Sequence, residues 1–175
     1  MAESYKEIMN YINTFIFDVD GVLTDSSVHI SENGAMLRTM NIRDGFAMKA
    51  AIESGYNVCI ISGGFNEGVR IRLQNLGIKD IYLASSDKVK TFNDYCTLRS
   101  IEPKNVLYMG DDIPDYHVMQ LVGLAAAPQD AVPEIKKISG YISHVNGGKG
   151  AVRDVIEQVM KVQGKWHLYY NGKHD

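Results

Sequence analysis

Short apolar runs, each ending in a turn and separated from the next by one helical pattern, constrain this chain more than any other feature. Thr14-Phe15-Ile16-Phe17, Val58-Cys59-Ile60-Ile61, Asp80-Ile81-Tyr82-Leu83, Asn105-Val106-Leu107-Tyr108-Met109 and Leu124-Ala125-Ala126-Ala127 read as strands. The first, second and fourth are rich in β-branched and aromatic residues, which suit a buried sheet. Helical patterns fill 43–53, 66–76, 88–98 and 116–121 between them, and 131–138 and 151–162 follow the last strand. An additional pair of runs, 28–31 and 36–40, flanks Glu32-Asn33-Gly34. Asn-Gly favours a tight turn with positive φ, so these residues read as a β-hairpin.

Strands alternating with single helices imply an α/β protein: a Rossmann-like parallel sheet with helices on both faces. Ligands of such sheets bind beyond the carboxyl ends of the strands. Asp18, Ser62 and Asp111 stand just past three of those ends. At 175 residues the chain reads as one domain, 1–175, with a hairpin flap at about 26–41 and a tail at about 163–175.

The first strand runs into Asp18-Val19-Asp20-Gly21-Val22-Leu23-Thr24. Residues two apart in a strand share a face, so Asp18 and Asp20 converge if the pleat continues. Convergent carboxylates repel unless a positive charge sits between them, and a hard cation such as Mg²⁺ suits oxygen ligands. Asp and Gly are also ordinary turn residues, so the remaining strand ends carry weight. They bring Ser62-Gly63-Gly64, Lys88 at a helix start, and Gly110-Asp111-Asp112-Ile113-Pro114-Asp115.

Composition excludes several alternatives. Hydrophobic residues make up 45% and charged residues 22%, with a net charge of -3. That balance gives no reason to expect nucleic acid or an anionic membrane as a partner. No apolar run has the length of a membrane span and the N-terminus lacks a secretory h-region, which points to the cytoplasm. Cys59 and Cys96 lack metal-like spacing and read as reduced thiols in or near the core.

In order and spacing, Asp18/Asp20, Ser62, Lys88 and Asp111/Asp115 resemble the four motifs of the haloacid dehalogenase superfamily of aspartate-based phosphatases. The resemblance runs from about residue 15 to residue 155. It implies that Asp18 is the nucleophile that becomes an aspartyl-phosphate and that Asp20 is the general acid and base. It further implies that Mg²⁺ is held by Asp18, the Asp20 carbonyl and Asp111. Ser62, Gly63 and Gly64 would hold phosphate oxygens ahead of a helix N-terminus, and Lys88 would neutralise the charge shared by phosphate and Asp18. Asp115 is expected to support the site from behind, by orienting water or Lys88. Asp112 reads either as a ligand contact or as a turn residue.

Many relatives insert a mobile cap between the first and second motifs or between the second and third. Here residues 25–61 are used by the hairpin, a helix and a strand, and 63–87 by a helix and a strand, which leaves no room for one. This capless pattern, with Asn41-Ile42-Arg43-Asp44-Gly45 and Gly147-Gly148-Lys149-Gly150-Ala151-Val152-Arg153, resembles the 3-deoxy-D-manno-octulosonate 8-phosphate (KDO-8-phosphate) phosphatases. The resemblance implies a small sugar-acid phosphate as substrate, in lipopolysaccharide precursor synthesis, and a homotetramer whose subunits wall each other's sites. A sister group acts on the nine-carbon 2-keto-3-deoxynononate 9-phosphate and tends to carry Glu where this chain has Gly64. The eight-carbon group often has Arg there. Related domains also serve as non-catalytic tetramerisation modules. Arg72 and, more weakly, Arg43 are candidates to pair with a sugar-acid carboxylate, or are helix-surface charges. The glycine run is either a flexible loop or part of the site rim. The aromatic tail, with Trp166, is expected to dock, with a neighbouring subunit's site as a candidate surface.

Overall fold

The computed structural model describes residues 4–166. Thr14–Phe17 forms strand β1, buried on both faces. It pairs in parallel with Asn57–Ile61 (β4) on one side and Val106–Met109 (β6) on the other. Asp80–Tyr82 (β5) extends the sheet beyond β4, and Leu124–Ala127 (β7) and Tyr141–Ile142 (β8) extend it beyond β6. The order is β5-β4-β1-β6-β7-β8 and every pairing is parallel. From β1 the chain first moves outward to β4 and β5, then returns to β6 and moves the other way. The direction therefore switches between β1 and β6, where sheets of this kind bind ligands.

Period-two alternation divides the strands between two cores. Phe15, Phe17, Val58, Ile60, Leu107 and Met109 pack against Ile42–Glu53 (α2), Glu67–Asn75 (α3) and Ala151–Val162 (α7). Ile16, Cys59, Ile61, Val106 and Tyr108 pack against Lys88–Arg99 (α4), Tyr116–Met119 (α5) and Pro133–Ile138 (α6). Helices thus cover both faces, as the alternation of elements predicted. Cys59 and Cys96 are buried free thiols, and burial raises the Cys59 pKa well above its ordinary value.

One α-helix and one strand were missed. Tyr5–Met9 (α1) is too short to show periodicity, although the Ser4/Glu7 capping box marked its start. β8 has two residues and no apolar run. The hairpin is present but short: His29–Ile30 (β2) pairs antiparallel with Met36–Leu37 (β3) as a separate two-stranded sheet. Within it Ile30 and Leu37 are exposed, while Met40, counted in the sequence with the hairpin's apolar residues, packs against the core.

Trp166, the first aromatic of the tail expected to dock, does so within its own chain. It is 3% exposed, lies edge-on to Phe46 at 6.4 Å, and carries the Arg153 guanidinium over its ring at 5.5 Å. It therefore docks on its own chain. The rest of the tail call, 167–175, lies outside the described residues.

Candidate active site

β1 ends at Phe17, and Asp18 and Asp20 stand in the extended segment and turn just beyond it. Asp18 is extended (φ -73°, ψ 169°) and caps a wide turn, Val19–Leu23, in which Gly21 has φ +84°. The two carboxylates acquire different partners. Asp18 Oδ1 accepts the Val19 N–H at 2.6 Å, and Asp18 Oδ2 accepts from Lys88 Nζ at 2.6 Å. Asp20 accepts a two-pronged contact from Arg38, Nε to Oδ1 at 2.7 Å and Nη2 to Oδ2 at 3.0 Å.

Lys88 is the first residue of α4, behind the N-cap Asp87, and its side chain is 6% exposed. It joins Asp18 to Asp115, whose Oδ1 also receives Lys88 Nζ at 2.7 Å. Asp115 Oδ1 further accepts the Tyr108 hydroxyl at 2.8 Å, and Oδ2 accepts the Asp111 N–H at 3.2 Å. Both Asp115 oxygens are thus engaged by the scaffold. Burial works to lower the Lys88 pKa, but Asp18 and Asp115 outweigh it and the net shift is upward. Removing Lys88 alone would leave two buried carboxylates uncompensated, at roughly 3–5 kcal/mol.

The acidic groups show the opposite imbalance. Burial first, then Asp115, raises Asp18 to about 6 despite Lys88. Burial, Asp18 and Asp115 raise Asp111 to about 7. Asp18, Asp111 and Asp115 each bring a carboxylate oxygen within 4.8 Å of the others. One ammonium cannot neutralise three carboxylates. The excess negative charge, presented entirely through hard oxygen donors, fits a small divalent cation such as Mg²⁺.

The turn that presents Asp18 depends on close backbone contact. A Cβ on Gly21 would stand 1.8 Å from Asp111 Oδ2, and one on Gly147 would stand 1.8 Å from the Gly21 carbonyl oxygen. Gly148 N–H donates to the Val22 carbonyl at 2.9 Å, and Gly147 N–H to Asp130 Oδ1 at 2.9 Å. The glycine run therefore braces the aspartate turn, which sets aside its reading as a merely flexible loop. Gly147→Ala is expected to cost about 1–3 kcal/mol by overpacking. It should also lower kcat more than it raises KM, because it displaces the turn that carries Asp18; an unchanged melting temperature and kcat would refute this bracing role.

Ser62 is buried and lines a cleft with Val19, Asp20, Arg38, Gly64, Phe65 and Asn66. Gly63 follows it ahead of α3, whose N-cap is Asn66. Arg72 lines the neighbouring depression with Arg38 and Asn66. Arg43 is not brought to this cleft; it lines a separate groove with Lys149 and Arg153. Asp112 is exposed and caps the turn through the Ile113 N–H at 2.7 Å, which is the turn role of its two alternatives.

Sequence reasoning missed Arg38, Tyr108 and Asp44. Asp44 is buried, and its Oδ1 accepts the Arg153 N–H at 2.8 Å. Burial raises its pKa to about 6. The signal available for Arg38 was a cation on a hairpin strand next to an aspartate turn; Tyr108 looked like any strand aromatic.

Comparison with known proteins places this geometry. Residues 61–156 match the model of haloacid dehalogenase-like hydrolases. The 3-deoxy-D-manno-octulosonate 8-phosphate phosphatase KdsC of Salmonella typhi is 40% identical over 88% of this chain and 82% of its own length. The chain belongs to the KdsC family of haloacid dehalogenase-like hydrolases. Solved structures agree. The KdsC-type phosphatase of Yersinia pestis has a TM-score of 0.92 at 33% identity, over 95% of this chain and 90% of its own. The Moraxella catarrhalis enzyme, solved with magnesium, phosphate and KDO, has a TM-score of 0.91 at 29% identity, over 94% of each chain. Like these KdsC relatives, the chain has no cap domain among its described residues.

Proposed function

We propose that this protein is a Mg²⁺-dependent phosphatase that hydrolyses 3-deoxy-D-manno-octulosonate 8-phosphate to the free sugar acid and phosphate. The observation that carries the reading is the buried Asp18–Lys88–Asp115 constellation beside Asp111 at the β1/β6 switch point. Asp18 supplies the carboxylate oxygen that attacks phosphorus, giving an aspartyl-phosphate as the P–O bond to the sugar breaks. Asp20 hands a proton to the departing alkoxide, then takes one from the water that cleaves the acyl-phosphate, so its proton is restored. Lys88 compensates charge on Asp18 and the phosphoryl oxygens, and Asp115 with Tyr108 holds Lys88 in place. Ser62 and the amides of Gly63 and Gly64 are positioned to bind phosphoryl oxygens. A bound Mg²⁺, held by Asp18, Asp111 and the Asp20 carbonyl, supplies charge stabilisation for the transferring phosphoryl group.

Arg72, in the depression next to the cleft, is the better placed of the two arginines to meet a sugar-acid carboxylate. With no cap, the site is walled by a second subunit in a homotetramer. Support comes from the apolar side chains exposed around the hairpin: Ile30, Leu37, Ile42 and Phe65 are each more than half exposed. Four such side chains in one region mark an interaction surface. Light scattering at assay concentration should give four times the chain mass; a fully active monomer contradicts this. No helix among the described residues is long and apolar enough to cross a membrane, which fits an enzyme of the cytoplasm.

The test is kcat/KM for the eight-carbon and nine-carbon keto-acid phosphates, with and without Mg²⁺. The eight-carbon ester should be preferred by at least tenfold. Preference for the nine-carbon ester would reassign the substrate, and an absence of turnover on any phosphomonoester would leave a tetramerisation module.

A further inference from the structure

Arg38 follows β3, on the hairpin, yet its side chain is only 7% exposed. Two of its three nitrogens hold Asp20, as described above, while Nη1 is buried without a hydrogen-bond partner among the described residues. A buried arginine half-satisfied by one partly exposed carboxylate is not explained by stability: a partly buried ion pair gains little net of desolvation, and an orphaned donor adds a cost of about 1–3 kcal/mol. The arrangement does fix geometry. A bidentate fork holds a carboxylate in one plane, which a single-point contact does not.

The hairpin strand is itself anchored to the site. Asn66 Nδ2 donates to the Met36 carbonyl at 2.9 Å, and the same Asn66 caps α3 through the Val69 N–H at 3.0 Å. Arg38, Asp20, Ser62, Gly64 and Asn66 share one cleft. Gly64 leaves the space that the ion pair occupies, since even a Cβ there would come within 3.2 Å of Asp20 Oδ2 and 3.4 Å of Arg38 Nη2.

We infer that Arg38 is a positioning residue for Asp20, carried on the hairpin, and that it sets the orientation in which Asp20 exchanges protons with leaving group and water. The inference rests on the phosphatase reading above and adds a residue to it. Asp20 serves both chemical steps, so loss of its orientation affects both. With a sugar phosphate, the first step needs a proton for an alkoxide. With p-nitrophenyl phosphate the leaving phenolate departs without one, so only the second step, attack of water on the Asp18 acyl-phosphate, still needs Asp20.

Arg38→Met should therefore lower kcat for the sugar-acid phosphate by 10–100-fold, within the range of lost acid–base assistance, with KM changed less than threefold. With p-nitrophenyl phosphate the same variant should release a rapid burst of about one p-nitrophenolate per active site and then turn over slowly, as phosphorylated Asp18 accumulates. Arg38→Lys, which keeps charge without the fork, should recover only part of kcat. In the Asp20→Asn background, Arg38→Met should cost less than twofold further, because residues acting as a unit are not additive. A loss confined to KM would make Arg38 a substrate anchor. Equal losses on both esters with no burst, or full additivity with Asp20→Asn, would reduce it to a structural ion pair. Either result overturns the inference while the phosphatase reading stands. A wild-type chain without turnover overturns both.

Discussion

Asp18→Asn should abolish turnover, by about 10⁴-fold or more, the scale on which loss of an enzyme nucleophile is felt. The amide has no lone pair of comparable nucleophilicity and is a poor ligand for a hard cation, so bond formation to phosphorus and cation binding fail together. The fold should survive. The amide oxygen can still accept the Val19 N–H, and Lys88, now facing an NH₂, retains Asp115. Unchanged circular dichroism with no phosphate release is the expected pair of results. Appreciable turnover from a clean preparation would remove Asp18 from its role.

The second large effect concerns the cation. Chelation should stop activity, and Mg²⁺ should restore it; Ca²⁺, with longer bonds and more ligands, should restore it poorly. The pH dependence follows from the carboxylates. Asp18 at about 6 and Asp111 at about 7 both lie above the ordinary carboxylate value of 3.8. The folded chain therefore binds more protons than the unfolded chain between about pH 4 and 7. Without cation, its stability falls as pH rises through that window. A bound divalent cation must displace those protons, so its stabilisation grows over the same range. At 100 times the dissociation constant it reaches about 2.7 kcal/mol. Melting temperatures with and without Mg²⁺ should converge near pH 5 and separate near pH 7.5. Asp111→Asn should erase the separation and the activity together. A Mg²⁺ effect equal at both pH values would contradict the assigned ligands.

The fold was largely legible in the sequence because its strands are buried on both faces and so appear as unbroken apolar runs: Phe15 to Phe17, Val58 to Ile61 and Val106 to Met109. Residues at the ends of those runs landed where a parallel sheet must place them. How the turn after β1, with Gly21 at φ +84°, is held in place was not legible. That turn is stabilised from Gly147 and Gly148, more than a hundred residues away, and local pattern carries no trace of such contact. Arg38 stayed hidden for the same reason: just past a short exposed strand a cation reads as solvated until the tertiary fold brings Asp20 against it. The position of Arg43 relative to the cleft was likewise not legible. Its motif neighbourhood suggested a site residue, and it lines a second groove with Lys149 and Arg153.

Covalent capture of the phosphoryl group tests the central claim most directly. Asp20→Asn, mixed with p-nitrophenyl phosphate (whose phenolate leaves without a proton) and Mg²⁺, acid-quenched and digested, should yield a peptide carrying one hydroxylamine-labile phosphoryl group on Asp18. The same adduct should be absent from Asp18→Asn and from samples containing excess chelator. Phosphate release by the wild type with no adduct on Asp18 in any trapped sample, or an adduct on another residue, would contradict the account.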